Sequence, residues 1–182
     1  MILVLAGGDS IIWGSELSDY QHCGPGGFSR KTFTALCSDN YFCSAYPGIS
    51  NKEISTRIQS SLNLVKPDIV IVCWTWPSRD NVHDSDKDIS KLESILKEKC
   101  ILYLFTCVDN CVVTGNLDYT NWFLFPPGKG INQTEHPRGF YQWAVESGYN
   151  CGKDSHPLDE AHQDAYNLIK VKFDELVKKS LV

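Results

Sequence analysis

The stretch PDIVIVCW, residues 67–74, is apolar at every position from Ile69 to Trp74. A strand with one wet face alternates apolar and polar residues; a strand without alternation is covered on both faces, as in a parallel sheet. Helices must therefore lie on either side of it, and the flanking sequence supplies them. Upstream, residues 51–65 carry Ile54, Ile58, Leu62 and Val65 at helical spacing, with Asn51 placed to cap the helix. Downstream, Ile89, Leu92, Ile95 and Leu96 mark a second amphipathic helix that runs directly into an apolar strand at 101–106.

Working further outward, residues 2–6 read as a buried strand. Residues 28–37 read as a short helix after a glycine-rich loop at 24–27, and YFCSAY (41–46) as a strand closed by Pro47-Gly48. NWFLF (121–125) reads as a fifth strand. Residues 158–176 gather Ala161, Ala165, Leu168, Ile169, Phe173 and Leu176 on one helical face. Strands alternating with helices predict an α/β fold, a three-layer α/β/α sandwich around a mostly parallel five-stranded sheet. Residues 76–86 and 108–156 do not fit this alternation, and loops of that length in a small domain tend to be functional.

The chain has 182 residues, 42% of them hydrophobic and 21% charged, which suits one domain over residues 1–182. A net charge of −5, with basic residues clustered only in short runs such as Lys178-Lys179, argues against nucleic acid as partner. No apolar run approaches the roughly 20 residues of a membrane span, and residues 2–6 are too short for a secretory signal. The expectation is a soluble, cytoplasmic protein with no membrane partner. Eight cysteines would suit a secreted disulfide scaffold, but Cys73 and Cys100 sit in or beside apolar strands, where reduced thiols are expected. Asn132-Gln133-Thr134 matches a glycosylation acceptor and, without a signal, carries no weight.

The strand at 2–6 breaks into GGDS, residues 7–10. Adjacent glycines permit a tight turn, and that turn lifts Ser10 to the carboxyl end of the sheet, where ligands of parallel sheets bind. The loops after the next two strands, holding Gly48 and residues 75–79, reach the same crevice. A serine hydroxyl needs a base to become nucleophilic, and the base needs a third group to orient it. CGKDSHPLDEAH (151–162) offers His156 as base with Asp154 two residues before it. The backbone N–H groups of Ser10 and Gly48 are candidate donors to an oxyanion. Asp9 is expected to hold the turn by bonding backbone N–H groups.

GGDSIIWG, YPGISNKEI and DSHPLDEAH, in that order across residues 3–170, resemble the blocks of the SGNH (GDSL) hydrolase superfamily. The resemblance implies a flavodoxin-like fold and esterase or acetylesterase chemistry, with no cofactor or metal. It makes Ser10 the nucleophile, His156 the base, Asp154 its orienting acid and Gly48 part of the oxyanion hole. The implied substrate is a small-molecule or carbohydrate ester, with acetyl as a candidate acyl group. Two departures stand out. The family's third block reads G-x-N-D after strand three, with the asparagine as a third oxyanion donor, whereas this chain has CWTWPSRDN (73–81). Thr75 is the favoured replacement donor, with Ser78, Arg79 and Asn81 as alternatives. Arg79, whose fixed charge could stabilise an oxyanion or bind an acidic substrate group, is favoured with Trp76 as a substrate contact, and a pairing of Arg79 with Asp80 or Asp84 is the bland alternative. The last block spaces acid and base as D-S-H rather than D-x-x-H, with Lys153 at the usual acid position. WTWPSR (74–79) also resembles a loop of small phage-type members, which would place the protein in a host cytoplasm or virion.

Other readings compete. A fold of this type that lost its third donor could persist as a catalytically silent binding module. Cys107 and Cys111 with Cys151 or His136 fit a zinc site only loosely. LAGGDS lacks the spacing and lysine of a phosphate-binding loop. His162 is expected to pack within the last helix rather than react.

Overall fold

A computed structural model of the chain describes residues 2–20, 27–79, 85–127 and 137–180. Among these, four parallel strands form one sheet: β1 (Val4–Gly7), β2 (Tyr41–Cys43), β3 (Ile69–Trp74) and β4 (Leu102–Cys107), in the order β2-β1-β3-β4. Val4 is in register with Tyr41 on one side and Ile69 on the other, and Ile69 with Leu102. All six residues of β3 are buried, as a strand covered on both faces must be.

The two faces are covered by different helices. Leu5, Val70, Val72, Trp74 and Phe105 meet Ile54 and Ile58 of α2 (Asn51–Ser61), and Ile89, Leu92 and Leu96 of α3 (Ser85–Glu98). Val4, Ala6, Ile71, Cys73 and Leu104 meet Phe140 and Trp143 of α4 (Phe140–Glu146), and Ala165, Ile169 and Phe173 of α5 (Asp159–Ser180). A further short helix, α1 (Ser10–Trp13), follows β1 directly.

Three sequence expectations are corrected. The fifth strand at 121–125 reduces to a single parallel bridge between Phe105 and Trp122, because the chain peels away and Phe125 pairs antiparallel with Arg138. Residues 28–37 form turns and one 3-10 turn at Ala35–Cys37 rather than a helix. Their polar side chains bond the backbone locally: the Lys31 N–H donates to Ser29 Oγ and the Ala35 N–H to Thr32 Oγ1. The cap of α2 is Ser50, in a reciprocal box with Glu53, and Asn51 is the first helical residue. α4 emerges inside the long segment that the sequence left unassigned.

The seven cysteines among the described residues, Cys37, Cys43, Cys73, Cys100, Cys107, Cys111 and Cys151, are free thiols. No group of three or more metal-ligating side chains comes together among the described residues, and His136 of the zinc alternative lies outside them. No described helix is long and apolar enough to cross a membrane. Asn132-Gln133-Thr134, the loop at 24–26, Asp80, Asn81 and Asp84 also lie outside the described residues.

Candidate active site

β1 delivers the chain to the carboxyl edge of the sheet, and the glycines there serve close approach. A Cβ on Gly8 would lie 2.4 Å from the Ile12 side chain, and one on Gly7 would lie 2.7 Å from Ile58. Asp9, fully buried, then caps α1 by accepting the Ile11 N–H at 3.0 Å. Ser10 is the first residue of α1 and only 8% exposed. Its hydroxyl opens into a cavity of about 200 Å³ lined by Ile11, Trp76, Arg79, Tyr141 and residues 154–156.

His156 arrives from the loop before α5. That loop is pinned by a Cys151–Pro157 bridge and by the Gly152 N–H donating to the His156 carbonyl at 2.8 Å. Ser155 takes a left-handed φ of 65° to complete it. The result sets His156 Nε2 2.8 Å from Ser10 Oγ, so the two residues at opposite ends of the chain meet in hydrogen-bonding contact.

The carboxylate on the other ring nitrogen is not Asp154. His156 Nδ1 lies 2.9 Å from Oε2 of Glu16, while Asp154 contributes its backbone N–H to the same carboxylate at 3.0 Å. The loop closes around Glu16, which also accepts the His156 N–H at 3.4 Å. With only one residue between acid and base, and that residue left-handed, the Asp154 amide faces inward and the residue as a whole is exposed. Burial works to raise the pKa of Glu16, but the bonds from the Asp154 N–H, the His156 ring and the His156 N–H together hold it below the ordinary carboxylate value. Glu16 itself has a φ of 69°, just past the left-handed Gly14 that ends α1. The sequence offered a weak signal for it: a carboxylate six residues beyond Ser10, on the turn after α1.

Thr75 is fully buried and its polar groups are occupied. Its hydroxyl donates to Asp9 Oδ2 at 2.7 Å, and its N–H donates to Asn51 Oδ1 at 2.8 Å. The Asn51 amide returns a bond to the Thr75 carbonyl at 2.9 Å and another to Ser85. A hydroxyl has one proton to give, so the expectation of Thr75 as an oxyanion donor is corrected: Thr75 and Asn51 fix the end of β3. Gly48 sits exposed with a φ of 77° in the loop after β2. That loop touches the site through the Ile49 carbonyl, which accepts from Arg79 Nη1 at 3.5 Å. Trp76 and Arg79 both line the cavity, in a 3-10 turn at Pro77–Arg79 and the residue before it. The Trp76 ring packs edge-on against Tyr141 at 5.7 Å. Tyr141 comes from the long segment 108–156 and was not singled out by sequence.

A larger concavity of about 580 Å³ lies elsewhere, bounded by Trp143, Tyr149, Asp164 and Asn167, and is lined by none of Ser10, Glu16 and His156. His162 packs between Phe33 and Phe140 with Nδ1 accepting the Phe33 N–H, as a core residue.

No protein-family model matches the chain, and no curated protein does. Solved structures do. The psychrotrophic esterase EstA from Pseudoalteromonas sp., in a structure inhibited by monoethylphosphonate, superposes with a TM-score of 0.61 at 13% identity, covering 100% of this chain and 99% of that one. A two-domain esterase, CEX, described as active on acetylated mannans, gives 0.62 at 15% identity over 96% of this chain; the match spans 48% of that longer protein. A protein assigned to the G-D-S-L lipolytic family from Desulfitobacterium hafniense gives 0.56 at 12% identity over 94% of this chain and 99% of its own. At such identities the likeness is one of fold: the chain has the three-layer α/β/α fold that these esterases and lipolytic proteins share.

Proposed function

We propose that the protein is a serine esterase of the SGNH/GDSL type acting on small acyl esters, with acetyl esters of carbohydrates among the candidate substrates. The observation that supports this most directly is the continuous chain of contacts from Ser10 Oγ through the His156 ring to the Glu16 carboxylate, at 2.8 and 2.9 Å. In this reading Ser10 Oγ bonds to the acyl carbon while its proton passes to His156 Nε2, and the carbonyl π pair moves onto oxygen. Collapse breaks the bond to the alcohol, which leaves with the proton from His156. Water then releases the acyl group from Ser10 by the same two steps. Glu16 orients the ring and favours the imidazolium that forms. The Ser10 and Gly48 N–H groups are proposed donors to the oxyanion, and Trp76 frames the substrate. The cavity of about 200 Å³ suits a short acyl chain.

Hydrolysis of p-nitrophenyl acetate by the parent and by Ser10→Ala tests the proposal. The parent is expected to turn over well above the variant; equal rates would remove the esterase reading and leave a silent binding module. Across esters from acetyl to dodecanoyl, kcat/KM is expected to fall with length, and faster turnover of the long chains would overturn the small-acyl assignment.

A further inference from the structure

Attack by a serine turns an ester carbonyl oxygen into an alkoxide, and fixed donors aimed at that charge are a major source of rate. With both donors of Thr75 engaged, Arg79 is the charged group on the wall of the Ser10 cavity able to fill this role. Its guanidinium is held from three sides. Nη1 lies 3.3 Å from Asp9 Oδ2 and 3.5 Å from the Ile49 carbonyl, and Cζ sits 5.3 Å above the Trp76 ring. Among the described residues its hydrogen bonds and ion pair all run through Nη1. A guanidinium carries five N–H donors in a planar fork, so toward the described residues Nε and Nη2 retain donors.

The counter-charge is equally fixed. Asp9 is fully buried and bound by the Ile11 N–H and the Thr75 hydroxyl as well as by Arg79. Asp9 immediately precedes the nucleophile, so one carboxylate ties the cation to the turn that presents Ser10. Asp154 lines the cavity and Glu16 stands behind His156. Three carboxylates, Asp9, Asp154 and Glu16, thus stand at or behind the cavity wall against the one guanidinium. An anionic substrate would enter a net negative field, whereas a neutral ester brings no charge until the transition state, when the guanidinium meets the new alkoxide.

We propose that Arg79, anchored by Asp9, is the charged oxyanion donor of this site, and that its substrates are uncharged esters; the proposal rests on the esterase reading above. As the Ser10 Oγ–carbon bond forms and the π pair moves to oxygen, Arg79 donates hydrogen bonds to that oxygen as a fixed cation and transfers no proton to it. The pair returns to carbon when the alcohol departs. The assignment differs from that of a substrate anchor, which would act equally on ground and transition states and appear in KM.

The test compares the parent, Ser10→Ala, Arg79→Ala and Arg79→Lys on p-nitrophenyl acetate and on the anionic p-nitrophenyl hemisuccinate, with and without millimolar guanidinium chloride. On the acetate, Arg79→Ala is expected to lose about 10²–10³-fold in kcat with KM within about twofold, and added guanidinium to restore part of the loss. The parent is expected to favour the acetate in kcat/KM. An Arg79→Ala variant with parental kcat, or one whose only change is a higher KM for the hemisuccinate, would overturn the proposal. If Arg79→Ala melts well below the parent, Arg79→Lys decides: a compact ammonium in place of the fork should cost at least about tenfold in kcat, and parental kcat overturns the proposal. Ser10→Ala separates the two readings. Equal rates for Ser10→Ala and the parent remove the esterase reading and this proposal together, whereas loss in Ser10→Ala with none at Arg79 removes this proposal alone.

Discussion

At the scale of single residues, the site turns on which carboxylate faces His156. Glu16 and Asp154 both lie beside the imidazole loop, but one offers its side chain and the other its backbone N–H. Glu16→Gln keeps an acceptor for the Asp154 N–H while removing the charge, so it isolates the electrostatic role from the scaffolding one. It is expected to lower kcat by about 10²–10⁴-fold, because the imidazolium formed as Ser10 attacks loses its negative neighbour. Asp154→Asn should retain kcat to within about twofold. The opposite pattern, a collapse in Asp154→Asn and parental behaviour in Glu16→Gln, would return the acid to Asp154. Ser10 and His156 were legible as candidates because their types and flanking turns point to the chemistry. Glu16 was not, because a carboxylate six residues past Ser10 is too weak a local signal: it acquires a role only when a loop some 140 residues later folds around it.

At the scale of elements, β1 and α1 carry Ser10 to the edge of the sheet, but the loop at 151–157 sets how His156 and Glu16 meet it. Gly152 packs its Cα against the Glu16 carboxylate, and a Cβ there would lie 2.5 Å from Glu16 Cδ. Gly152→Ala is therefore expected to push the carboxylate off the imidazole and to lower kcat at least about tenfold. Because it acts through the same carboxylate, the double variant with Glu16→Gln should be little slower than Glu16→Gln alone. Losses that multiply independently would show that Gly152 acts elsewhere. The apolar periodicities at 51–65 and 89–96 made α2 and α3 readable, since each buries one stripe against the sheet. Residues 121–125 misled for the same reason: WFLF has the composition of a strand, yet Phe125 is committed to Arg138 and the core. Pairing partners decide a strand, and these are distant in sequence.

At the scale of the whole molecule, the α5 side of the sheet holds a buried ionisable group. His162 is 1% exposed, stacked at 5.8 Å from Phe33 and tilted at 4.7 Å from Phe140. Burial pushes its pKa down to about 3, whereas an unfolded histidine titrates near 6.5. Between those values the unfolded chain binds a proton that the folded chain refuses, so stability is full above pH ~6.5 and falls as the pH drops toward 3. The slope from this residue approaches about 1.4 kcal/mol per pH unit below ~6. Urea unfolding at pH 7, 6 and 5 is expected to show the decline before most carboxylates protonate. His162→Asn, which keeps an acceptor for the Phe33 N–H, should be less stable at pH 7 but flatter over this range. An unchanged slope in the variant would place the acid sensitivity elsewhere.

The sequence by itself determined the class of fold, because an unbroken apolar strand at 69–74 between two amphipathic helices has one low-energy environment, a parallel sheet covered on both faces. It also marked the two ends of the Ser10–His156 contact, since GGDS and DSHP are local turn and loop signals. The tertiary structure decided the rest: that Glu16 rather than Asp154 meets His156, that Thr75 and Asn51 lock β3, and that Arg79 shares Asp9 with Thr75. Each of these depends on the direction of a side chain relative to backbone amides far away in sequence. Hydrogen bonds are short and directional, so a left-handed Ser155 or one intervening residue redirects them, while the hydrophobic pattern that specifies the fold is non-directional and survives such changes.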